Sequence, residues 1–190
     1  MKAYIKRVLL IIVFILFSLL LLFYIIQGIN EKSVSQSQVV TKVSLGLPVR
    51  LKIPAINVNA GIQYVGVTSN GAMDVPSNTV DVGWFDLGPR PGETGSAVIA
   101  GHFDGQNGEA GVFTNLNKLK KGDKLYVDYG NRKSIIFVVR ESRIYNPGYA
   151  DDVFSSSDGI HLNLVTCDGV WDGTKKNYSK RLVIFADIAH

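Results

Sequence analysis

Three side chains able to carry acyl chemistry stand beside apolar runs. Cys167 follows Asn163-Leu164-Val165-Thr166, His102 follows Ala97-Val98-Ile99-Ala100 through Gly101, and Arg181 opens Arg181-Leu182-Val183-Ile184-Phe185-Ala186. A thiol is a good nucleophile as its thiolate, and a nearby cation favours that form. An imidazole titrates near neutrality, so it can hand a proton to a leaving amine and later take one back. A guanidinium is always charged and can stabilise the oxyanion of a tetrahedral acyl intermediate. Together these are the parts of a cysteine acyl-transfer site. Each part also has a plainer reading: Cys167 as a small buried hydrophobe, His102 as a turn residue, Arg181 as a solvated edge charge. Their joint occurrence favours chemistry, because Cys167 is the sole cysteine of a chain whose start reads as an export signal and unpaired cysteines are unusual outside the cytoplasm.

The elements that must hold these residues read as β. Short runs rich in Val, Ile, Tyr and Phe predict strands at Arg50–Ile53, Gly61–Val65, Ser96–Ala100, Lys124–Tyr129, Ser134–Ser142, Leu162–Thr166 and Arg181–Ile188. Asx-Gly dipeptides, among them Asn70-Gly71, Asp168-Gly169 and Asp172-Gly173, mark tight turns between them. Phe113, Leu116 and Leu119 recur every three residues and predict one short helix over Val112–Lys120. Seven or eight short strands with little helix suggest a closed barrel or a sandwich. His102, Cys167 and Arg181 then sit at strand ends on one rim, held by a rigid scaffold yet open to substrate. The 13 residues between Cys167 and Arg181 read as a loop joining neighbouring antiparallel strands. Trp171 lies in it and either pins the loop or packs over substrate.

The rest of the chain bounds the setting. From Val8 to Ile26 only Ser18 and Tyr24 are polar, a run of 19 residues. At ~1.5 Å per helical residue it reaches across a bilayer core of roughly 30 Å. Lys2, Lys6 and Arg7 precede it, so the positive-inside rule puts residues 1–7 in the cytoplasm and 27–190 outside. The run is longer than a cleaved signal's apolar region and lacks a small-x-small site after it, which favours a retained single-pass anchor. Residues 27–45 are polar and read as a linker, and 46–190 as one domain. Net charge is +4, of which the first seven residues supply three. The remainder is nearly balanced, which argues against a nucleic-acid partner. His161 and His190 show no metal-ligand spacing with His102. The Gly88–Gly95 stretch lacks the Gly-Lys-Ser/Thr of a phosphate loop. No metal and no cofactor is expected.

The residues around the trio resemble a sortase, the membrane-anchored cysteine transpeptidases of bacterial surfaces. Leu164-Val165-Thr166-Cys167-Asp168, Ala100-Gly101-His102 and Lys180-Arg181-Leu182-Val183-Ile184-Phe185 carry the likeness, supported by Gly111-Val112-Phe113-Thr114-Asn115-Leu116 and Lys121-Gly122-Asp123. It spans about Pro48 to Ile188. The resemblance implies an all-β fold, a closed eight-stranded barrel with one or two short helices behind a transmembrane helix. It implies that Cys167 attacks the Thr–Gly bond of a Leu-Pro-x-Thr-Gly-like signal on a secreted protein. An amine of a cell-wall precursor then resolves the thioester. His102 would be general acid and base, Arg181 would hold the carbonyl and oxyanion, and Thr166 would line the site. Asn163 replaces the Thr that opens the family's Thr-Leu-x-Thr-Cys pattern. Neither an Asp-Pro-aromatic lid nor a second hydrophobic segment is evident, so a protein-anchoring role is expected rather than pilus polymerisation. Asp168 beside Cys167 is expected to push the thiol pKa up. Two other readings remain: a cysteine hydrolase of cell-wall peptides, and a non-catalytic surface module with Cys167 in its core.

Overall fold

A computed structural model of the chain describes residues 15–24 and 46–189, apart from 106, 131, 149, 156 and 157. The chain divides into two units, 1–43 and 44–190. In the first, residues 15–24 are helical with exposed apolar side chains. The rest of the run from Val8 to Ile26 and the linker at 27–45 lie outside the described residues. Among the described residues no helix is long and apolar enough to cross a membrane.

The second unit is a closed barrel of eight strands. They are β1 (Pro48–Ile53), β2 (Val58–Val65), β3 (Val82–Phe85), β4 (Gly95–Ala100), β5 (Lys124–Tyr129), β6 (Ser134–Tyr145), β7 (Ile160–Asp172) and β8 (Asn177–Ile188). Their order around the barrel is β1-β2-β3-β4-β7-β8-β6-β5. Two neighbouring pairs are parallel, β2 with β3 and β4 with β7; the others are antiparallel. Side chains alternate in and out along each strand, so every second residue faces the lumen. Leu51 and Ile53, Ala97 and Ile99, Leu125 and Val127, Leu162 and Leu164, and Leu182 and Ile184 fill it. Closure leaves the sheet without an open edge.

All six residues of β4 are buried, because its outer face is covered as well. Val98, Val183 and Phe185 meet Val153 of a one-turn helix, Asp151–Phe154, in a second apolar cluster outside the barrel. A parallel strand buried on both faces reads as a continuous apolar run, which is how Ala97-Val98-Ile99-Ala100 reads.

Several sequence expectations change. β3 was absent from them: it is four residues long and contains Gly83, a poor strand former. A Cβ at Gly83 would lie 2.9 Å from Val65 Cγ1, so close packing accounts for the glycine. The helix expected over Val112–Lys120 is a single 3₁₀ turn, Leu116–Lys118. A spacing of three matches the 3₁₀ repeat rather than the α-helical 3.6, and Phe113, Leu116 and Leu119 are buried through it. The loop expected between Cys167 and Arg181 is instead a continuation of the ladder. β7 and β8 pair as far as Trp171↔Tyr178 and Asp172↔Asn177, leaving only four residues to turn. Asp168-Gly169 is therefore a bulge and not a turn: the register shifts there, and Gly169 takes φ +82°.

Candidate active site

Cys167 and Arg181 are cross-strand partners on the outer face of the barrel wall, and His102 follows β4, the strand that flanks β7 on its other side. Cys167 on β7 pairs directly with Arg181 on β8. β4 runs parallel to β7 on its other side, with Ala100 opposite Val165. The alternation that points Val98 and Ala100 outward carries on through Gly101 to His102, two residues past Ala100, level with Cys167 two past Val165. Two bonds lock this alignment. The Gly101 amide donates to the Val165 carbonyl at 3.0 Å, and the Thr166 hydroxyl donates to the Gly101 carbonyl at 2.8 Å. Thr166 is 3% exposed. Its hydroxyl thus ties the histidine strand to the cysteine strand from within and does not line the cleft.

Each of the three is held by its own partners. His102 Nε2 lies 2.9 Å from the Pro76 carbonyl. A carbonyl only accepts, so Nε2 carries a proton and donates, leaving Nδ1 to exchange protons with a reacting group. The His102 carbonyl receives the Phe113 amide at 2.9 Å. Gly111 packs on that same segment: a Cβ there would fall 2.3 Å from the His102 oxygen, so only glycine fits. The Arg181 guanidinium donates to Asn177 Oδ1 at 2.6 Å and to the Lys180 and Tyr178 carbonyls at 2.9 and 3.2 Å. These contacts hold it against its own strand beside the sulfur.

The Cys167 thiol is pushed above its ordinary pKa. Burial is the largest cause, Arg181 opposes it, and Asp104 adds to the rise. The acidic neighbour acting on the sulfur is Asp104, not Asp168 as the sequence suggested. Asp168 is adjacent along the chain, whereas successive residues of a strand point to opposite faces.

A cleft of about 470 Å³ ends at this point. Its floor is Ala100, Val165 and Val183 beside Cys167 and Arg181, and its walls come from two connections. Residues 70–75 form one wall, folded back by the Val67–Met73 bridge. The other carries Tyr145, Val153 and Phe154. Asn163, at the departure from the family pattern, anchors that wall by donating to the Val153 carbonyl at 2.7 Å. Arg143 and Tyr145 reach Asp152 from β6 at 3.0 and 2.5 Å. The arrangement can seat an extended, largely apolar peptide with its carbonyl over a thiol flanked by a fixed cation and a proton carrier.

Trp171 stands beyond this level on the hairpin, 52% exposed, and edges onto Tyr178 at 5.2 Å between ring centroids. In the sequence Asp104 reads only as half of an Asx-Gly turn, Asp104-Gly105, and Tyr178 carries no signal of its own. Asp104 follows His102 by two, the strand repeat, and Tyr178 faces Trp171 once Asp172-Gly173 is taken as the hairpin turn. Among the described residues no group of three or more His, Cys, Asp or Glu is placed to hold a metal ion.

With this fold and site, the chain belongs to the sortase family: the sortase-domain model matches residues 51–189. Sortases are cysteine transpeptidases. Among solved structures, sortase C-1 from Actinomyces oris is 25% identical with a TM-score of 0.60, covering 75% of each chain. Sortase A from Corynebacterium diphtheriae is 20% identical with a TM-score of 0.60, covering 76% of this chain and 61% of that one. The sortase D5 transpeptidase of Clostridium perfringens is 22% identical with a TM-score of 0.57, covering 75% and 79%. Among curated proteins none matches.

Proposed function

We propose that this chain cuts a Leu-Pro-x-Thr-Gly-like sorting signal on secreted proteins between Thr and Gly and transfers the acyl half to a cell-wall amine. One observation carries the reading: a sole cysteine paired across the ladder with an arginine, level with a histidine, at the end of an apolar cleft. Cys167 is the nucleophile. It attacks the scissile carbonyl as its proton passes to His102, and the oxyanion forms beside the Arg181 guanidinium. His102 returns the proton to the leaving amine, and the thioester remains. An incoming amine attacks that thioester, regenerating the thiol and forming a new amide. Amide becomes thioester and then amide again, so no cofactor enters the balance.

The same reading puts the domain outside the cytoplasm, held to the membrane by the apolar run Val8–Ile26 behind Lys2, Lys6 and Arg7. Secreted substrates and cell-wall amines are both met there. Product identity tests the function. With a donor peptide and increasing amine, product shifts from free acid to amide. A product that stays free acid at every amine concentration makes the protein a hydrolase instead.

A further inference from the structure

Three segments pass the reactive level in one direction and meet again beyond it. Past Ala100 and His102 the chain reaches Asp104. Past Val165 and Cys167 it reaches Trp171, and against the direction of β8, past Val183 and Arg181, lies Tyr178. The first residue of each series floors the cleft, and the last lies outside it. These last residues form a cluster of their own. Tyr178 edges Trp171 at 5.2 Å and Phe103 at 5.6 Å, and its hydroxyl donates to Asp104 Oδ2. Asp104 Oδ1 accepts no hydrogen bond among the described residues.

We propose that this shelf, Asp104 with the rings of Phe103, Trp171 and Tyr178, receives the protonated primary amine of the acyl acceptor, on the far side of Cys167 from the cleft that takes the donor. The inference rests on the transpeptidase reading and adds to it where the second substrate binds and by which chemistry.

An amine reaches neutral solution as an ammonium ion and must approach a sulfur that already has a guanidinium beside it. Arg181 repels it. Asp104 is the carboxylate whose charge is felt at that sulfur, so it offsets the repulsion and supplies an attractive partner. Ring faces add cation–π attraction, and Trp171 holds an indole in solvent at the rim, 52% exposed. Tyr178 keeps its proton, its pKa pushed up to about 12 by the bond to Asp104, and so it fixes one carboxylate oxygen while the other faces the acceptor. Lys180, the next cation on β8, donates instead to Asn146 at 2.7 Å. In the transfer, the bound ammonium first loses one proton to solvent. Its nitrogen then attacks the thioester carbon, the C–N bond forms and the C–S bond breaks. A second nitrogen proton travels through His102 to the departing sulfur, leaving an amide and a thiol.

The test compares two acceptors that compete with water for one acyl-enzyme of the full chain. Glycine amide is cationic at neutral pH, and hydroxylamine is uncharged. In Asp104→Asn the ratio of aminolysis to hydrolysis falls about five- to tenfold for glycine amide and changes less than twofold for hydroxylamine. In the unaltered protein, added salt lowers the ratio for glycine amide alone. A glycine amide ratio within twofold of wild type in Asp104→Asn, an equal fall for both acceptors, or a salt response shared by both overturns the proposal and leaves the transpeptidase reading standing. If neither acceptor diverts any product in the unaltered protein, that reading fails and the shelf with it.

Discussion

Replacing Thr166 by Val tests whether the histidine and cysteine strands are clasped from within. The two side chains are nearly isosteric, so no cavity opens. What disappears is the donor that reaches the Gly101 carbonyl at 2.8 Å, in a site only 3% exposed. Leaving a buried acceptor short of its partner costs about 1–3 kcal/mol, less the small gain from burying a methyl in place of a hydroxyl. Taking about 1–2 kcal/mol net, Tm falls by about 3–6 °C for a domain of this size. The catalytic effect is the larger one. Gly101 is the residue before His102, and Thr166 the residue before Cys167, so loosening the clasp shifts the base against the nucleophile. A displacement of about 1 Å can cost up to ~100-fold, so acyl-enzyme formation slows by about 10–100-fold. Thr166→Ser keeps the donor and stays within about threefold. Differential scanning calorimetry reads the first effect and stopped-flow acylation with a donor peptide the second. If Thr166→Val melts within 1 °C of wild type and acylates within twofold, the hydroxyl is not what aligns the two strands.

Three further outcomes follow from the same geometry. Because burial outweighs Arg181 and pushes the Cys167 thiol up, iodoacetamide alkylates the free protein with a pH midpoint above the ordinary thiol value of about 8.5. Arg181→Gln removes the opposing cation and moves that midpoint higher, Asp104→Asn moves it lower, and a wild-type midpoint below the ordinary value contradicts the assignment. Gly111→Ala drives a Cβ to within 2.3 Å of the His102 oxygen, and the backbone that gives way carries the imidazole with it. kcat/KM therefore falls at least tenfold, and a variant with wild-type turnover shows that the segment yields elsewhere. His102→Ala loses about 10²–10⁴-fold in donor cleavage, whereas a loss of threefold or less takes the imidazole out of the chemistry.

Much of the barrel was legible because its strands obey one simple pattern. Ala97-Val98-Ile99-Ala100 is apolar on both sides and proved to be a strand covered on two faces, and Leu162, Leu164 and Val165 mark β7 although Asn163 and Thr166 interrupt its run. β3 escaped because four residues with a central glycine carry too little pattern, and its identity depends on Val65 and Pro76 packing over Gly83. Cys167, His102 and Arg181 stand out by residue type and position, yet setting their segments side by side needs the parallel pairing of β4 with β7, which no local signal records. Thr166 adjoins Cys167 in sequence, yet its hydroxyl is buried against the Gly101 carbonyl and not in the cleft. Alternation along β7 turns it inward, and a reading of the strand phase from Leu162 and Leu164 predicts as much. Asp104 and the β7–β8 hairpin were missed for a related reason. An Asx-Gly pair looks the same whether it makes a turn, as at Asp172-Gly173, or a bulge, as at Asp168-Gly169, and only the ladder around it distinguishes them.

The central claim is that the Cys167 sulfur carries the acyl group between two substrates. Acid-quenching the protein in mid-turnover with a Leu-Pro-x-Thr-Gly peptide and weighing the intact chain tests it most directly. The account predicts an added mass equal to the peptide portion through Thr, less water, mapped to the fragment containing Cys167 and released by hydroxylamine. Turnover with no adduct on Cys167, or undiminished transfer by Cys167→Ala, contradicts it.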